Sequence, residues 1–411
     1  MPAAVILVDT TLYSDGFLTR QYLVSDYMTT SINRTPGLIF LVSTLLLANC
    51  GGSSGGGDDD SSSGASMRSV GKELFFDQNL SSNGNQSCAS CHDPAAGFAD
   101  PDVTAAAPVS EGSVPGQFGN RNAPTAAYSS LVPQFASQLT QTVDLTVSNF
   151  QGGQFLDGRA SSLMEQAKAP FLNPVEMNNS DKADVVSKVQ NAAYADDFIE
   201  VFGANAFNDV DQAYDNIAAA IAMFESSSEM NPFTSKFDAV MAGNASFTAS
   251  EQRGFDLFKG PVAKCANCHT VDTPAAGSLF TDFNYYNIAT PVNVDNPAYV
   301  ANNSFRDGGL GNSPAISDPD EQTAEQGKFR TPTLRNVELT EPYMHNGVYA
   351  TLTDVIRHYD ISATDSLFFE PEVENDIANE LNYHTDMGLG LSMQDYTDLE
   401  NFMLTLTDGF F

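Results

Sequence analysis

The chain of 411 residues has no tryptophan, five cysteines, and 18 lysines and arginines against 52 acidic residues. Each shortage narrows what the protein can do. Without tryptophan, no indole can serve as an electron relay. A formal net charge of −34 at pH 7 excludes nucleic acid or an anionic membrane surface as partners of the folded part, because both are polyanions. It suits a basic redox partner, a salty habitat or simple solubility. Five cysteines are too few for a disulfide framework in a chain of this size. The apolar run LIFLVSTLLL (38–47) is half of the roughly 20 residues that a membrane-spanning helix needs. The 42% hydrophobic content is ordinary for a globular protein, and the length calls for two domains.

Four of the five cysteines fall in NQSCASCHD (85–93) and KCANCHT (264–270). A C-x-x-C pair alone can be a redox dithiol, and two such pairs could hold zinc. Neither chemistry needs a histidine directly after the second cysteine. Covalent c-type haem does: the thiols add across the porphyrin vinyl groups, and the adjacent imidazole becomes the proximal ligand of the iron. The reading is two haem c groups, one on Cys88, Cys91 and His92 and one on Cys265, Cys268 and His269. A four-thiolate zinc site is the rival, and it leaves both histidines unexplained.

The fifth cysteine, Cys50, follows MTTSINRTPG, the apolar run and Ala-Asn. That order is a basic n-region, a short h-region and a cleavage site. It resembles a bacterial lipoprotein signal with Cys50 as the lipidated N-terminus, although Asn49 stands where a small residue is usual. Residues 1–27 carry Asp9, Asp15 and Asp26 and look unlike any n-region, so Met28 is the expected true start. The leader is then 1–49, with the signal at 28–49. Residues 50–66, mostly Gly, Ser and Asp, read as a flexible tether. The expected address is the periplasmic side of a bacterial membrane, held only by the lipid anchor. Covalent haem attachment also takes place outside the cytoplasm.

GKELFFDQNLSSNGNQSCASCH (71–92) and GFDLFKGPVAKCANCH (254–269) share G-x-x-L-F ahead of the cysteines, an internal repeat that implies two related haem domains. Thr248 and Glu251 form a capping-box signature that predicts a short helix over 251–258. Ile217, Ile221 and Phe224, and later Leu399, Phe402, Met403 and Leu406, recur at helical spacing and read as core faces. Thr351 and Asp354 mark another helix start, whose buried stripe runs Leu352, Val355, Ile356, Tyr359. His358 is predicted near the edge of that stripe. No run alternates like a strand. The predicted fold is mostly α-helical, two haem domains with long loops.

Four further segments carry a family likeness: GNRNAPTAAY (119–128), QFLDGRASSLMEQAKAPFLNPVEM (154–177), GKFRTPTLRNVELTEPYMHNG (327–347) and ATLTDVIRHYD (350–360). With the haem motifs, and in this order, they resemble the bacterial dihaem cytochrome c peroxidase and MauG superfamily from about Val70 to Leu406. The resemblance implies two cytochrome c-like domains, a peroxide-reactive one at 67–240 and an electron-transfer one at 241–411. It assigns Gln166, Pro170 and Glu176 to the distal pocket of the first haem, with Glu176 as proton carrier, Gln166 orienting peroxide and Pro170 shaping the pocket. A carboxylate in a restricted pocket can hold a raised pKa. The resemblance makes Tyr359 the second axial ligand of the second haem, where the peroxidase branch has methionine and the MauG branch tyrosine; Met344 is the rival. A phenolate is a harder donor than a thioether and lowers the haem potential. Asn122, with the backbone carbonyls of Thr340 and Pro342, matches a calcium site between the domains. His345 matches a motif near the domain junction without a ligand role, and His384 reads as a surface residue.

Two departures from the family matter. No histidine lies between His92 and Arg121, where the peroxidase branch keeps a displaceable distal ligand, so the first haem is expected to be open. Leu156 stands where the family often has a relay tryptophan, leaving direct tunnelling or Phe155. The leading expectation is an exported dihaem peroxidase reducing hydrogen peroxide with electrons from a small cytochrome c or cupredoxin. The second is a MauG-like peroxide-dependent oxidase of a protein or organic substrate, and the third an electron-transfer lipoprotein without peroxide chemistry. A homodimer is compatible with the family.

Overall fold

Helix starts in this chain are written by short polar side chains. In the computed structural model, which describes residues 64–137, 148–272, 275, 277–361, 371–373 and 389–411, Ser66 and Ser69 close a capping box on α1 (Met67–Phe76). Loops then lead to α2 (Cys88–Cys91). Ser162, Asp181 and Asp209 cap α3 (Leu163–Leu172), α4 (Lys182–Gln190) and α6 (Val210–Glu225), with α5 (Ala195–Phe202) between the last two. Ser235 opens α7 (Lys236–Met241), and Thr248 with Glu251 opens α8 (Ala249–Lys259), two residues earlier than its sequence signature suggested. The short helices α9 (Pro297–Ala301) and α10 (Pro319–Ala324), each starting with proline, lie in the long connection to α11 (Leu352–Ile361) and α12 (Met393–Leu404).

Strand is minimal among the described residues. β1 (Ala136–Ser137) pairs antiparallel with β2 (Phe150–Gln151), and β3 (Tyr285–Tyr286) with β4 (Phe329–Arg330). The fold is mostly helical, as the absence of alternating runs predicts.

Two apolar cores are built the same way. In the first, Val70, Leu74 and Phe75 of α1 meet Ile217, Ile221 and Phe224 of α6. In the second, Phe255 and Phe258 of α8 meet Leu399, Phe402 and Met403 of α12. The repeated glycine explains the geometry. A Cβ at Gly71 would overlap the Ala220 carbonyl of α6, and one at Gly254 would overlap the Asp398 carbonyl of α12. Backbone-to-backbone approach at each crossing therefore requires a residue without a side chain. Cores so placed fix the loop after α1 and the loop after α8, which carry the two C-x-x-C-H motifs. A smaller cluster of Phe150, Tyr285, Leu310 and Ile316 lies apart from both.

The leader, Cys50, most of the tether and His384 lie outside the described residues. Among the described residues no helix is long and apolar enough to cross a membrane.

Candidate functional site

Cys88 and Cys91 stand at the two ends of the one-turn helix α2, and Ser87 and Ser90 close a capping box on it. All four described cysteines are free thiols, so the pairs are not spent on disulfides. Burial raises the pKa of all four thiols, to about 12 for Cys91, Cys265 and Cys268. His92 follows α2, and its Nδ1 donates to the Phe98 carbonyl at 3.1 Å. His269 does the same to the Phe280 carbonyl at 2.8 Å. A carbonyl can only accept, so Nδ1 carries the proton and Nε2 keeps a lone pair for a metal. Burial lowers the pKa of both imidazoles and keeps them neutral. Two thiols and one oriented, neutral imidazole per motif fit a covalently held haem iron. Zinc would need all four thiolates in one place, and among the described residues no group of three or more His, Cys, Asp and Glu could hold a metal.

The segment over the first motif is shaped by Pro170. Inside α3 it cannot donate to the Gln166 carbonyl one turn back, and α3 ends two residues later. Gln166 and Pro170, four apart, share a face of the helix. The chain then turns so that Met177 N donates to the Pro170 carbonyl at 3.2 Å. This brings Glu176 back over α3, with its backbone carbonyl accepting from Ser113 N at 2.7 Å. The Glu176 carboxyl lies within electrostatic reach of Cys88 and Cys91. Burial raises its pKa, against the opposing charge of Arg159 and a hydrogen bond from Asn173.

Around the second motif, the Tyr359 phenol on α11 lies close enough to Cys268 and Cys265 for their charge to act on it, and burial, followed by those thiols, raises its pKa. Tyr286 reaches Cys268 with its hydroxyl and donates to Asp282 Oδ2 at 2.7 Å. His358 departs from its expected place at the edge of α11. It is 1% exposed, with Nδ1 meeting the Tyr349 hydroxyl at 3.0 Å and Nε2 meeting the Ile288 carbonyl at 2.7 Å. Periodicity identifies the face of a helix but not the loops that cover its flank, and here the loops bearing Tyr349 and Ile288 do so.

Two of the family-like segments, 119–128 and 154–177, meet Asp307 in a largely buried ion cluster. Arg121 contacts Asp307 at 2.6 Å through Nε and Asp157 at 2.7 Å through Nη1, while Arg159 holds the same Asp157 oxygen at 2.8 Å. Asp307 is thereby held at about 2, the pull of Arg121 outweighing burial. Phe155 lies under Arg159, 3.6 Å from guanidinium carbon to ring centroid. A cavity of about 410 Å³ opens beside this pair, walled by Phe135, Phe155, Ala160 and Ala169. Leu156 is buried next to them. Of the three oxygen donors expected to hold calcium, the Asn122 amide donates to the Pro342 carbonyl, and its Oδ1 is buried without a partner. His345 is buried, bonded to Glu372 at 2.8 Å and stacked on Phe329.

Among the buried charged residues that escaped sequence reasoning, two stand near the motifs. Glu225, 5% exposed at the end of α6, has Oε2 unpartnered, is pushed up to about 8 by burial and acts on the Cys88 thiol. Its spacing of i+4 and i+8 from Ile221 and Ile217 was the available signal. Arg330, in the segment KFRTPTLRN, is buried as well.

A mostly helical fold with two c-type haem motifs defines a class of multihaem redox proteins, and comparison with known proteins narrows it. Residues 65–246 match the family described as di-haem cytochrome c peroxidase. The chain is 38% identical over 357 residues to the methylamine utilization protein MauG of Paracoccus denitrificans, covering 84% of this chain and 89% of that one. It is 33% identical over 293 residues to the cytochrome c551 peroxidase of Nitrosomonas europaea, covering 71% and 72%. The crystal structure of the diheme peroxidase BthA from Burkholderia thailandensis aligns with a TM-score of 0.75 at 33% identity, covering 83% and 86%. The chain belongs to the bacterial dihaem cytochrome c peroxidase and MauG superfamily. It is an oxidoreductase of peroxidase type that uses two c-type haems.

Proposed function

We propose that the protein is an exported, peroxide-dependent oxidase of the MauG kind, acting on a protein or organic substrate. The observation that carries this reading is the Tyr359 phenol beside Cys265 and Cys268, a hard anionic donor in place of a thioether. The extent of similarity to MauG supports it as well. Cys88, Cys91 and His92 would hold one haem, which would supply redox-active iron for the reaction with peroxide, and Cys265, Cys268 and His269 would hold a second, which would supply electron-transfer chemistry.

The remaining work falls to side chains. Glu176 takes a proton from the near oxygen of peroxide and returns it to the far one, a role its raised pKa favours. Gln166 orients the peroxide by hydrogen bonding. Pro170, with no N–H and no side-chain donor atom, would shape the pocket and offer no ligand of its own. Tyr359 would help to hold the second haem iron through its phenol, a donor that would favour holding oxidising equivalents over receiving electrons from a high-potential donor. Calcium belongs to the proposal at Asn122, Thr340 and Pro342; the orphaned Asn122 Oδ1 is an acceptor in want of a cation. Residues 67–240 and 241–411 form the peroxide-reactive and electron-transfer domains. The protein sits on the periplasmic side of the membrane, tethered through Cys50, as a monomer or homodimer.

A peroxidase that takes electrons from a small cytochrome c or cupredoxin is the second reading, favoured by the missing tryptophan and the similarity to cytochrome c551 peroxidase. Stoichiometric hydrogen peroxide added to the oxidised protein is expected to change its visible spectrum, with slow steady-state turnover on reduced cytochrome c or cupredoxin. Fast turnover on either donor would replace the oxidase by the peroxidase. No spectral change would leave only an electron carrier.

A further inference from the structure

The segment KFRTPTLRN (328–336) carries two buried arginines in opposite circumstances. Arg335 is completely satisfied: Nη1 and Nη2 donate to Asp238 at 2.6 and 2.9 Å, and Nε donates to the Ser278 carbonyl at 2.8 Å. Arg330, 9% exposed, has no carboxylate at all among the described residues. Its Nη1 and Nη2 reach the Thr331 and Phe155 carbonyls at a stretched 3.5 and 3.4 Å, and its Nε is buried without a partner. The Phe283 ring, 5.9 Å from its guanidinium carbon, is at the outer limit of a cation–π contact. The acid of the adjoining segment, Asp157, is already held by Arg121 and Arg159. A buried, unpaired guanidinium costs several kcal/mol, so a folded chain keeps one where an anion from outside the polypeptide completes it.

Its position names the anion. Arg330 N donates to the Leu156 carbonyl at 2.8 Å, and its strand β4 pairs Arg330 with Tyr285. The next residue of β3, Tyr286, reaches Cys268, and two residues beyond Arg330 the Pro332 carbonyl faces the His269 imidazole. The guanidinium thus lies between the FLDGR segment and the second haem motif. The structure assigns Arg330 as the cationic partner of a haem carboxylate, a propionate of the porphyrin attached at Cys265 and Cys268. The planar guanidinium fork matches a carboxylate in bidentate fashion. The inference rests on haem attachment at that motif but is independent of the choice between oxidase and peroxidase. A fixed positive charge beside a haem favours the reduced iron. Its removal lowers the potential and frees the propionate to take up a proton.

The test is a spectroelectrochemical titration of the holoprotein and its Arg330→Gln and Arg330→Lys variants, with porphyrin content checked first by mass. A mass lacking two porphyrins reports failed attachment; two porphyrins with unmoved potentials report a failed assignment. Arg330→Gln is expected to lower the potential of the low-spin haem and to make it depend on pH across roughly pH 5–8, while Arg330→Lys retains most of the wild-type value. Equal potentials in all three proteins, or an identical drop in both variants, would overturn the assignment, the latter marking a packing role. Should Arg330→Gln yield no folded holoprotein, the wild type decides. A low-spin haem potential flat with pH over that window supports the pair, and a slope of one proton per electron overturns it.

Discussion

Single side chains decide the chemistry through their degree of solvation. Glu176 and Glu225 both carry carboxyls whose pKa is raised by burial near the first C-x-x-C-H motif, yet they are suited to different work. Glu176 is half-buried beside Arg159 and Asn173 and can exchange a proton with a small molecule. Replacing it by glutamine keeps its shape and removes the exchange. The rate of the peroxide-induced spectral change in Glu176→Gln is expected to fall about 10²- to 10⁴-fold, the usual worth of a positioned acid–base group; an unchanged rate would remove Glu176 from the mechanism. Glu225 is sealed in the core with a partnerless oxygen. Folded, it stays protonated up to about pH 8, whereas unfolded it ionises from the ordinary value of 4.5. Between those values the folded state binds more protons, so rising pH costs stability, about 1.4 kcal/mol per pH unit across the window. Denaturant unfolding at pH 5 and pH 8 should show this loss in the wild type and not in Glu225→Gln; parallel behaviour of the two proteins would place the carboxyl in contact with water.

Helix crossings are where the internal repeat acquires its physical meaning. In an exposed helix interior, Gly→Ala gains about 1 kcal/mol from propensity. At Gly71 and Gly254 the added methyl would meet a backbone carbonyl of the partner helix, and a backbone carbonyl cannot turn aside as a side chain can. Overpacking of this kind costs about 1–3 kcal/mol or more, so the penalty wins. Gly71→Ala and Gly254→Ala are both expected to lower the melting temperature, and a rise in either would mean that the corresponding crossing is looser than described. The same crossings position the loops that present Cys88–His92 and Cys265–His269. The α7 end of the second core depends on the Arg335–Asp238 pair, in which the bond and charge of Arg335 outweigh burial and hold the Asp238 carboxyl below the ordinary range. Asp238→Asn leaves a buried guanidinium half-paired and is expected to cost about 3–5 kcal/mol in chemical denaturation. A loss under 1 kcal/mol would show that water reaches Arg335.

At the scale of the molecule, the two C-x-x-C-H motifs have unequal surroundings among the described residues: one is overlooked by a carboxyl, the other by a phenol. The electron paramagnetic resonance spectrum of the oxidised protein is expected to contain one high-spin and one low-spin haem signal, and two low-spin signals would contradict an open first site. Tyr359→Met should raise the potential of the low-spin haem without altering the high-spin signal.

Sequence alone determined the features that are local along the chain. The C-x-x-C-H pentads, the Thr248 and Thr351 caps, the apolar stripes of α6 and α12 and the repeated glycine were all legible, because each expresses an interaction between residues a few positions apart. The family likeness drew on the same short segments and led to Glu176 and Tyr359. Tertiary structure alone decided which charges are buried and what meets them. His358 left the expected helix edge because loops outside α11 cover it, Glu225 lost its solvent close to the Cys88 thiol, and Arg335 found Asp238 while Arg330 found no carboxylate among the described residues. Solvation and pairing depend on contacts across scores or hundreds of residues, and no pattern of neighbours along the sequence encodes them.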